Sequence, residues 1–221
     1  NPALTIIDNT AFYTNKNLSS VNFTGLTALK TIGVEAFANC DSLTSVDFTG
    51  LTALETIKDQ AFSYNPSLNS VNFTGLNALK TIGSDAFNEG ILTSVELSGL
   101  TALEAIEFQA FYNNNITDIS IINCPSLNTI ENGAFDENPL RGSLTLRNVS
   151  SLKAFPHTAI PTASFEGSLE LTGTGFTEIT DDFSNGSFAG SLIIKNNPDL
   201  SSINENAFFQ PTFSSLELSG N

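Results

Sequence analysis

Methionine and tryptophan are absent, histidine occurs once and cysteine twice. Each shortage closes off a class of chemistry. The lone His157 sits between Pro156 and Thr158 and belongs to no recognisable nucleophile–base–acid arrangement. Two cysteines, Cys40 and Cys124, are too few for a disulfide-dense scaffold. The glycines of GTGF, Gly173 to Phe176, make too short a loop for phosphate and lack its lysine. Asp181-Asp182 could seat a cation, but acids in turns are common and we expect no bound metal. Basic residues number 8 against 23 acids, a net charge of −15, which argues against nucleic acid as a partner. Charged residues are only 14% of the chain, and Ser, Thr and Asn supply the rest of its polarity. No apolar run approaches the ~18 residues of a membrane helix, and no signal peptide is visible. These shortages lead us to expect no enzyme, no cofactor and no membrane insertion.

What the chain has instead is repetition and phenylalanine, 18 of them. The segment LSSVNFTGLTALKTIGVEAF, from Leu18 to Phe37, returns as LTSVDFTGLTALETIKDQAF from Leu43 and as LNSVNFTGLNALKTIGSDAF from Leu68. A fourth copy, LTSVELSGLTALEAIEFQAF, starts at Leu92, one residue early. One column can be followed throughout: Val21, Val46, Val71, Val95, Ile119, Leu144, Leu169, Leu192 and Leu216. Its steps are 25, 25, 24, 24, 25, 25, 23 and 24 residues. A fixed period of this size marks a stacked-repeat protein. The chain opens and closes in mid-repeat and lacks an initial Met. We therefore expect a longer parent, and either capping segments or weak end-to-end association.

Each repeat has three parts. In LxxVxF, Val21 and Phe23 alternate with Ser20, Asn22 and Thr24, which predicts a half-buried strand. A glycine then turns the chain. LxxI, as in Leu29 to Ile32, predicts a short second strand. The stretch ending in Ala-Phe is too short for a stable helix, and we expect one helical or 3₁₀ turn. No single turn can bury its own Leu, Val, Phe and Ile, but stacked turns bury all of them in one core, with parallel strands in register about 4.8 Å apart. That register sets Lys30, Glu55, Lys80 and Glu104 side by side with alternating charge. It also sets Asn15, Cys40, Asn65, Gly90, Asn114 and Asn138 at one corner, where Asn suits open backbone groups. The two cysteines then lie about four turns apart, roughly 15–20 Å, too far for a disulfide.

The combination of IGxxAFxxC, Ile32 to Cys40, with LTSVDF, Leu43 to Phe48, resembles the BspA-like leucine-rich repeats. The resemblance is strong from Leu4 to Phe135 and weaker from Leu140 to Asn221, where the strand motif drifts to RGSLTL, EGSLEL and AGSLII. It implies a leucine-rich-repeat solenoid of about nine turns of 23–25 residues. The first strands would form a parallel sheet on the concave side. We read residues 1–221 as one array, regular over 1–139 and degenerate over 140–221; the alternative is a linker near 156–167. Members of the family are typically bacterial or protist surface proteins with adhesive roles, so the resemblance implies an extracellular or cell-surface location. The runner-up fold is a parallel β-helix with a carbohydrate-lyase role, which the Ala-Phe turn and the Asn/Cys corner disfavour.

The candidate binding surface is the solvent face of the first strands. It carries Ser20, Ser45, Ser70, Ser94 and Asp118; then Asn22, Asp47, Asn72, Glu96 and Ser120; then Thr24, Thr49 and Thr74. The same face continues through Arg147, Glu170, Lys195 and Glu217. We expect a protein or glycan ligand there, basic or hydroxyl-rich because acids outnumber bases on the face. The face holds no aromatic anchor of the usual kind. Its Ser/Thr ladders are interrupted by acids, which disfavours an ice-binding surface. The alternative reading is a passive spacer within a larger surface protein. Sequons stand at Asn17, Asn22, Asn72, Asn115, Asn148 and Asn185, and glycans at Asn22 or Asn72 would block this face.

Overall fold

The computed structural model describes residues 3–156, 159, 164–180, 183, 187–208 and 212–221. His157 and the Asp181-Asp182 pair fall outside them, as do Ile160, Asn185 and half of the proposed linker.

Among the described residues the chain coils through nineteen short strands. On the first face lie β2 (Ser20–Asn22), β4 (Ser45–Asp47), β6 (Ser70–Asn72), β8 (Ser94–Ser98), β10 (Asp118–Ile122), β12 (Leu144–Val149), β14 (Leu169–Thr174), β17 (Ser191–Lys195) and β19 (Ser215–Ser219). The second face holds β1 (Ile6–Ile7), β3 (Thr31–Ile32), β5 (Thr56–Ile57), β7 (Thr81–Ile82), β9 (Ala105–Ile106) and β11 (Thr129–Ile130). Later come the pair β15 (Glu178–Ile179) with β18 (Ser202–Ile203), and the pair β13 (Ser164–Phe165) with β16 (Ser187–Phe188). Every pairing is parallel. The fold is therefore a parallel solenoid of the leucine-rich-repeat kind. Nine strands on the first face bound eight complete turns.

The register is the one the period predicts. Val21 pairs with Val46 and Val46 with Val71, and Val95 pairs with Ile119, Leu144, Leu169, Leu192 and Leu216 in succession. Side chains of one column point inward, so β8 alternates exposed and buried along its length. Phe12, Phe37, Phe62, Phe87, Phe111 and Phe135 form a continuous stack, with ring centroids 5.0 to 5.4 Å apart and nearly parallel planes. Such offset pairs add to the burial of the rings themselves. Stacking resumes with Phe183 on Phe155 at 5.7 Å and Phe208 on Phe183 at 5.9 Å. Phe155 stands where other turns carry the isoleucine of LxxI, a substitution the motif did not flag.

The expected helical or 3₁₀ turn is replaced by tandem β-turns; no helix occurs among the described residues. The reason is hydrogen-bond sharing. Ala36 N–H donates to Gly33 C=O and Ala38 N–H to Glu35 C=O, within the turn. The alternate groups, Glu35, Phe37 and Asn39 N–H, donate instead to Asp59, Ala61 and Ser63 C=O on the next turn. A helix would bond all of these locally and leave the stack unpaired on this side. The cost is a positive φ at Glu35 (54°) and Asn39 (57°), and at their equivalents Gln60 (56°) and Tyr64 (54°).

The corner column behaves as its chemistry suggests. Buried Asn65 accepts from Cys40 N–H at 2.7 Å and donates to Phe37 and Phe62 C=O at 3.0 and 2.8 Å. Asn114 and Asn138 repeat this pattern two and three turns on. Cys40 and Cys124 are unpaired and buried, their thiols directed at Phe12 and Leu97 C=O. Burial pushes both thiols above the ordinary cysteine range. In the charge column, Glu55 bridges Lys30 and Lys80 at 3.2 Å each.

Candidate functional site

The first face splits into two kinds of turn, and the third residue of each strand decides which. Asn22, Asp47 and Asn72 accept from the N–H two residues on, at Thr24 (2.8 Å), Thr49 (3.0 Å) and Thr74 (3.0 Å). This Asx bond competes with the sheet ladder and ends β2, β4 and β6 after three residues. Glu96, Ser120 and Thr145 stand in the same column without such a bond, and their strands run to five or six residues. The inward neighbour changes at the same place, from Phe23, Phe48 and Phe73 to Leu97, Ile121 and Leu146.

Of the thirteen residues expected to form the binding face, twelve are exposed and Ser120 is half-buried. They are not equally free to meet a ligand. Asp47 accepts from Thr49 Oγ1 at 2.7 Å and from Asn72 Nδ2 at 3.1 Å, and Asn72 Nδ2 also lies 3.1 Å from Thr49 Oγ1. The Thr49 hydroxyl and N–H, with Asn72, hold the Asp47 carboxyl below the usual carboxylate range. Asp118 accepts from Ser143 N–H at 2.8 Å and from Thr117 Oγ1 at 2.7 Å. The bases of the later turns are taken as well. Arg147 grips Glu170 through Nε at 2.8 Å and Nη2 at 2.6 Å, and Lys195 meets Glu217 at 2.6 Å. The guanidinium beside Glu170 draws that carboxyl down in turn. By contrast Ser20, Ser45, Ser70, Ser94, Thr24 and Thr74 offer hydroxyls that bond no other side chain, and Glu96 accepts only from Ser98 Oγ, at 3.4 Å.

One feature of this face is not legible in the columns. The first sheet is broken. Strands β2, β4 and β6 form one sheet and β8 to β19 another, although the second face continues unbroken from β7 to β9. One turn earlier, Asn69 N–H donates to Thr44 C=O and Phe48 N–H to Asn72 C=O. Their equivalents, Thr93 N–H and Phe73 N–H, make no backbone hydrogen bond. The break falls where the corner shortens by one residue, from NPSL (Asn65 to Leu68) to GIL (Gly90 to Leu92). It opens a groove of about 160 Å³ with Asn72, Phe73 and Thr74 on one wall and Ser94, Glu96 and Ser98 on the other. The single signal in the sequence is that shortened corner, together with the change from Asx to Glu.

The fold and its polar face define a repeat module of the leucine-rich class. The chain belongs to the BspA-type leucine-rich-repeat family, whose model matches residues 5–141 and 55–193 with six copies. No curated protein matches it. Among solved structures it is similar to a leucine-rich repeat protein from Bacteroides ovatus ATCC 8483, with 18% identity and a TM-score of 0.39. That alignment covers 98% of this chain and 56% of the other, so the chain spans about half the length of that protein.

Proposed function

We propose that the chain is a non-enzymatic binding module of an extracellular or cell-surface protein, which recognises a protein or glycan through its first sheet. One observation carries this reading. The first face presents the same exposed Ser, Asx and Thr columns on successive turns, fixed from beneath by fully buried neighbours such as Phe48 and Leu97. A ligand therefore meets an ordered surface and little freedom is lost on binding. The second face instead exposes surface ion pairs such as those of Glu55 with Lys30 and Lys80, which contribute little individually. Comparison with the family supports the surface location, since BspA-type repeats are generally found in bacterial surface proteins.

A passive spacer is the second reading, and it too has an observation in its favour. Asp47, Asn72, Asp118, Glu170 and Glu217 already spend their hydrogen bonds within the array. The test replaces Ser45, Ser70 and Ser94 with Arg together. These side chains make no hydrogen bonds, so the fold survives, whereas changes at Asp47 or Asn72 would also remove backbone caps. A screen of the full chain on a glycan array and against surface-protein extracts comes first. Loss of the captured ligand in the triple variant supports the binding module. Ligand binding unchanged by that variant but abolished by Lys30→Ala with Lys80→Ala moves the site to the second face. No ligand in either screen favours the spacer.

A further inference from the structure

We propose that the break between β6 and β8 is a saccharide subsite, the point where a neutral polyhydroxyl chain gains its hydrogen bonds on this sheet. The inference rests on the binding-module reading and deepens it.

The break leaves main-chain groups in an unusual condition. Within the other first-face strand pairs the ladder consumes the inter-strand N–H and C=O groups, although at the outermost turn Phe23 N–H, just past β2, also has no backbone acceptor. Here Phe73 N–H and Thr93 N–H have no backbone acceptor. A main-chain donor is rarely left without a partner, so these groups bond solvent or ligand. The groove walls add further capacity. Thr74 and Ser94 carry hydroxyls with no bond to any other side chain, each able to donate and accept. Glu96 keeps one carboxylate oxygen unbonded. Asn72 is saturated by Thr74 N–H, Asp47 and Thr49, so it shapes the wall without competing for the ligand.

Size and charge narrow the occupant. A volume of about 160 Å³ holds roughly five waters at ~30 Å³ each. That is room for a single ring, and the hydroxyl, carboxylate and amide lining suits a hydroxyl-bearing ring over an apolar aromatic anchor. Donors and acceptors interleave across the groove, and a hydroxyl, being both, satisfies either. A basic peptide would find one carboxylate here, already touched by Ser98. A sugar that displaces poorly ordered waters and reproduces their bonds gains affinity, and one that fails to reproduce them loses it. Among the described residues no other adjacent pair of first-face strands lacks its ladder.

The experiment is an amide-resolved NMR titration of the full chain with four probes: cellohexaose, maltohexaose, mannohexaose and hexalysine. At least one hexasaccharide is expected to shift the amides of Phe73, Thr74, Thr93 and Ser94 first and most. Thr74→Val with Ser94→Ala is expected to weaken that binding about five- to tenfold, with the melting temperature unchanged. Ser20→Ala, in the same column but remote from the groove, is expected to leave it intact. If the double variant lowers the melting temperature, the single Ser94→Ala carries the test. Saccharide shifts confined to other strands, such as those of Ser120 and Thr145, overturn the subsite while keeping the sheet as a binding surface. Shifts with hexalysine alone overturn the saccharide and point to a basic protein partner. No shift with any probe makes the groove a water site only and overturns the inference; the Arg variants of the preceding section then judge the broader reading separately.

Discussion

Asn72 donates through Nδ2 to Asp47 Oδ1 one turn away at 3.1 Å, while Asp47 accepts from Thr49 N–H in its own turn at 3.0 Å. The pair thus ties a strand-ending cap to the stack. Asp47→Ala is expected to cost about 1 kcal/mol, the usual net contribution of a hydrogen bond. Asp47→Asn keeps the cap, as Asn22 and Asn72 do, and isolates the charge. The Asp47 carboxyl is lowered in the fold, so its contribution is fully present above the unfolded value near ~3.9 and is lost as pH falls through the lower folded value. The melting temperatures of wild type and Asp47→Asn should therefore converge as pH falls below about 4.

Glu107 runs the other way. Burial, then the charges of Asp59 and Glu131, push its carboxyl above the ordinary range. A raised carboxyl gives stability that is complete below the unfolded value near ~4.3 and is lost as pH rises through the folded one. Glu107→Gln should therefore raise the melting temperature at pH 7 and leave it unchanged at pH 3, while Ser84 keeps its hydrogen-bonding partner there.

Two glycines should fail for different reasons. Gly50 has φ of 89°, and a Cβ there would meet nothing within 4 Å. Gly50→Ala should cost about 1–2 kcal/mol from backbone conformation alone. At Gly83 a Cβ would lie 2.7 Å from Asp59 N and Lys58 C, both backbone. Gly83→Ala should cost about 1–3 kcal/mol through overpacking and shift the amide resonances of the neighbouring turn, which Gly50→Ala leaves in place. Denaturant unfolding and amide spectra separate the two.

The phenylalanine stack should be felt unequally along its length. Phe62 lies between Phe37 at 5.1 Å and Phe87 at 5.3 Å and is fully buried. Phe62→Ala should cost about 3–5 kcal/mol. Phe12, 42% exposed and stacked on one side only, should cost about 1 kcal/mol as Phe12→Ala. Equal losses in denaturant unfolding would contradict the stack's continuity.

Hydrogen exchange offers a check on the broken sheet. Phe73 and Thr93 amides should exchange at least on the order of tenfold faster than Phe48 and Asn69, their bonded equivalents one turn earlier. Equal protection would mean that the ladder closes in solution.

Much of the fold is legible in the sequence because stacking repeats one physical problem. Val46, Val95, Ile119, Leu144 and Leu169 share a column since each fills the same interior position, and the register follows without further information. The Asn corner is legible for the same reason, as Asn65 and Asn114 face identical open carbonyls. What escapes is whatever depends on competition between bonds. The residues of the Ala-Phe stretch look helical because propensity is local, while Phe37 N–H bonds Ala61 on the next turn. Asp47 and Asn72 look like free surface groups because a composition column does not show that their oxygens turn back to Thr49 and Thr74. The groove escapes because Val71 and Val95 are the same residue in the same column, with serine before each. It is the change of corner length between them, from Asn65–Leu68 to Gly90–Leu92, that coincides with the parting of their strands.

That interruption also has a mechanical meaning. A pull along the stack loads its turns in series, and a series of links parts at its thinnest cross-section. Between most turns three seams share the tension: the first sheet, the second sheet and the tandem turns. Between Val71 and Val95 the first seam is missing, and the load passes through the β7–β9 pair and the turn bonds such as Phe87 N–H to Ala110 C=O on either side. Within its regular half a tether built from this array would yield there first, shedding force and sparing the neighbouring turns.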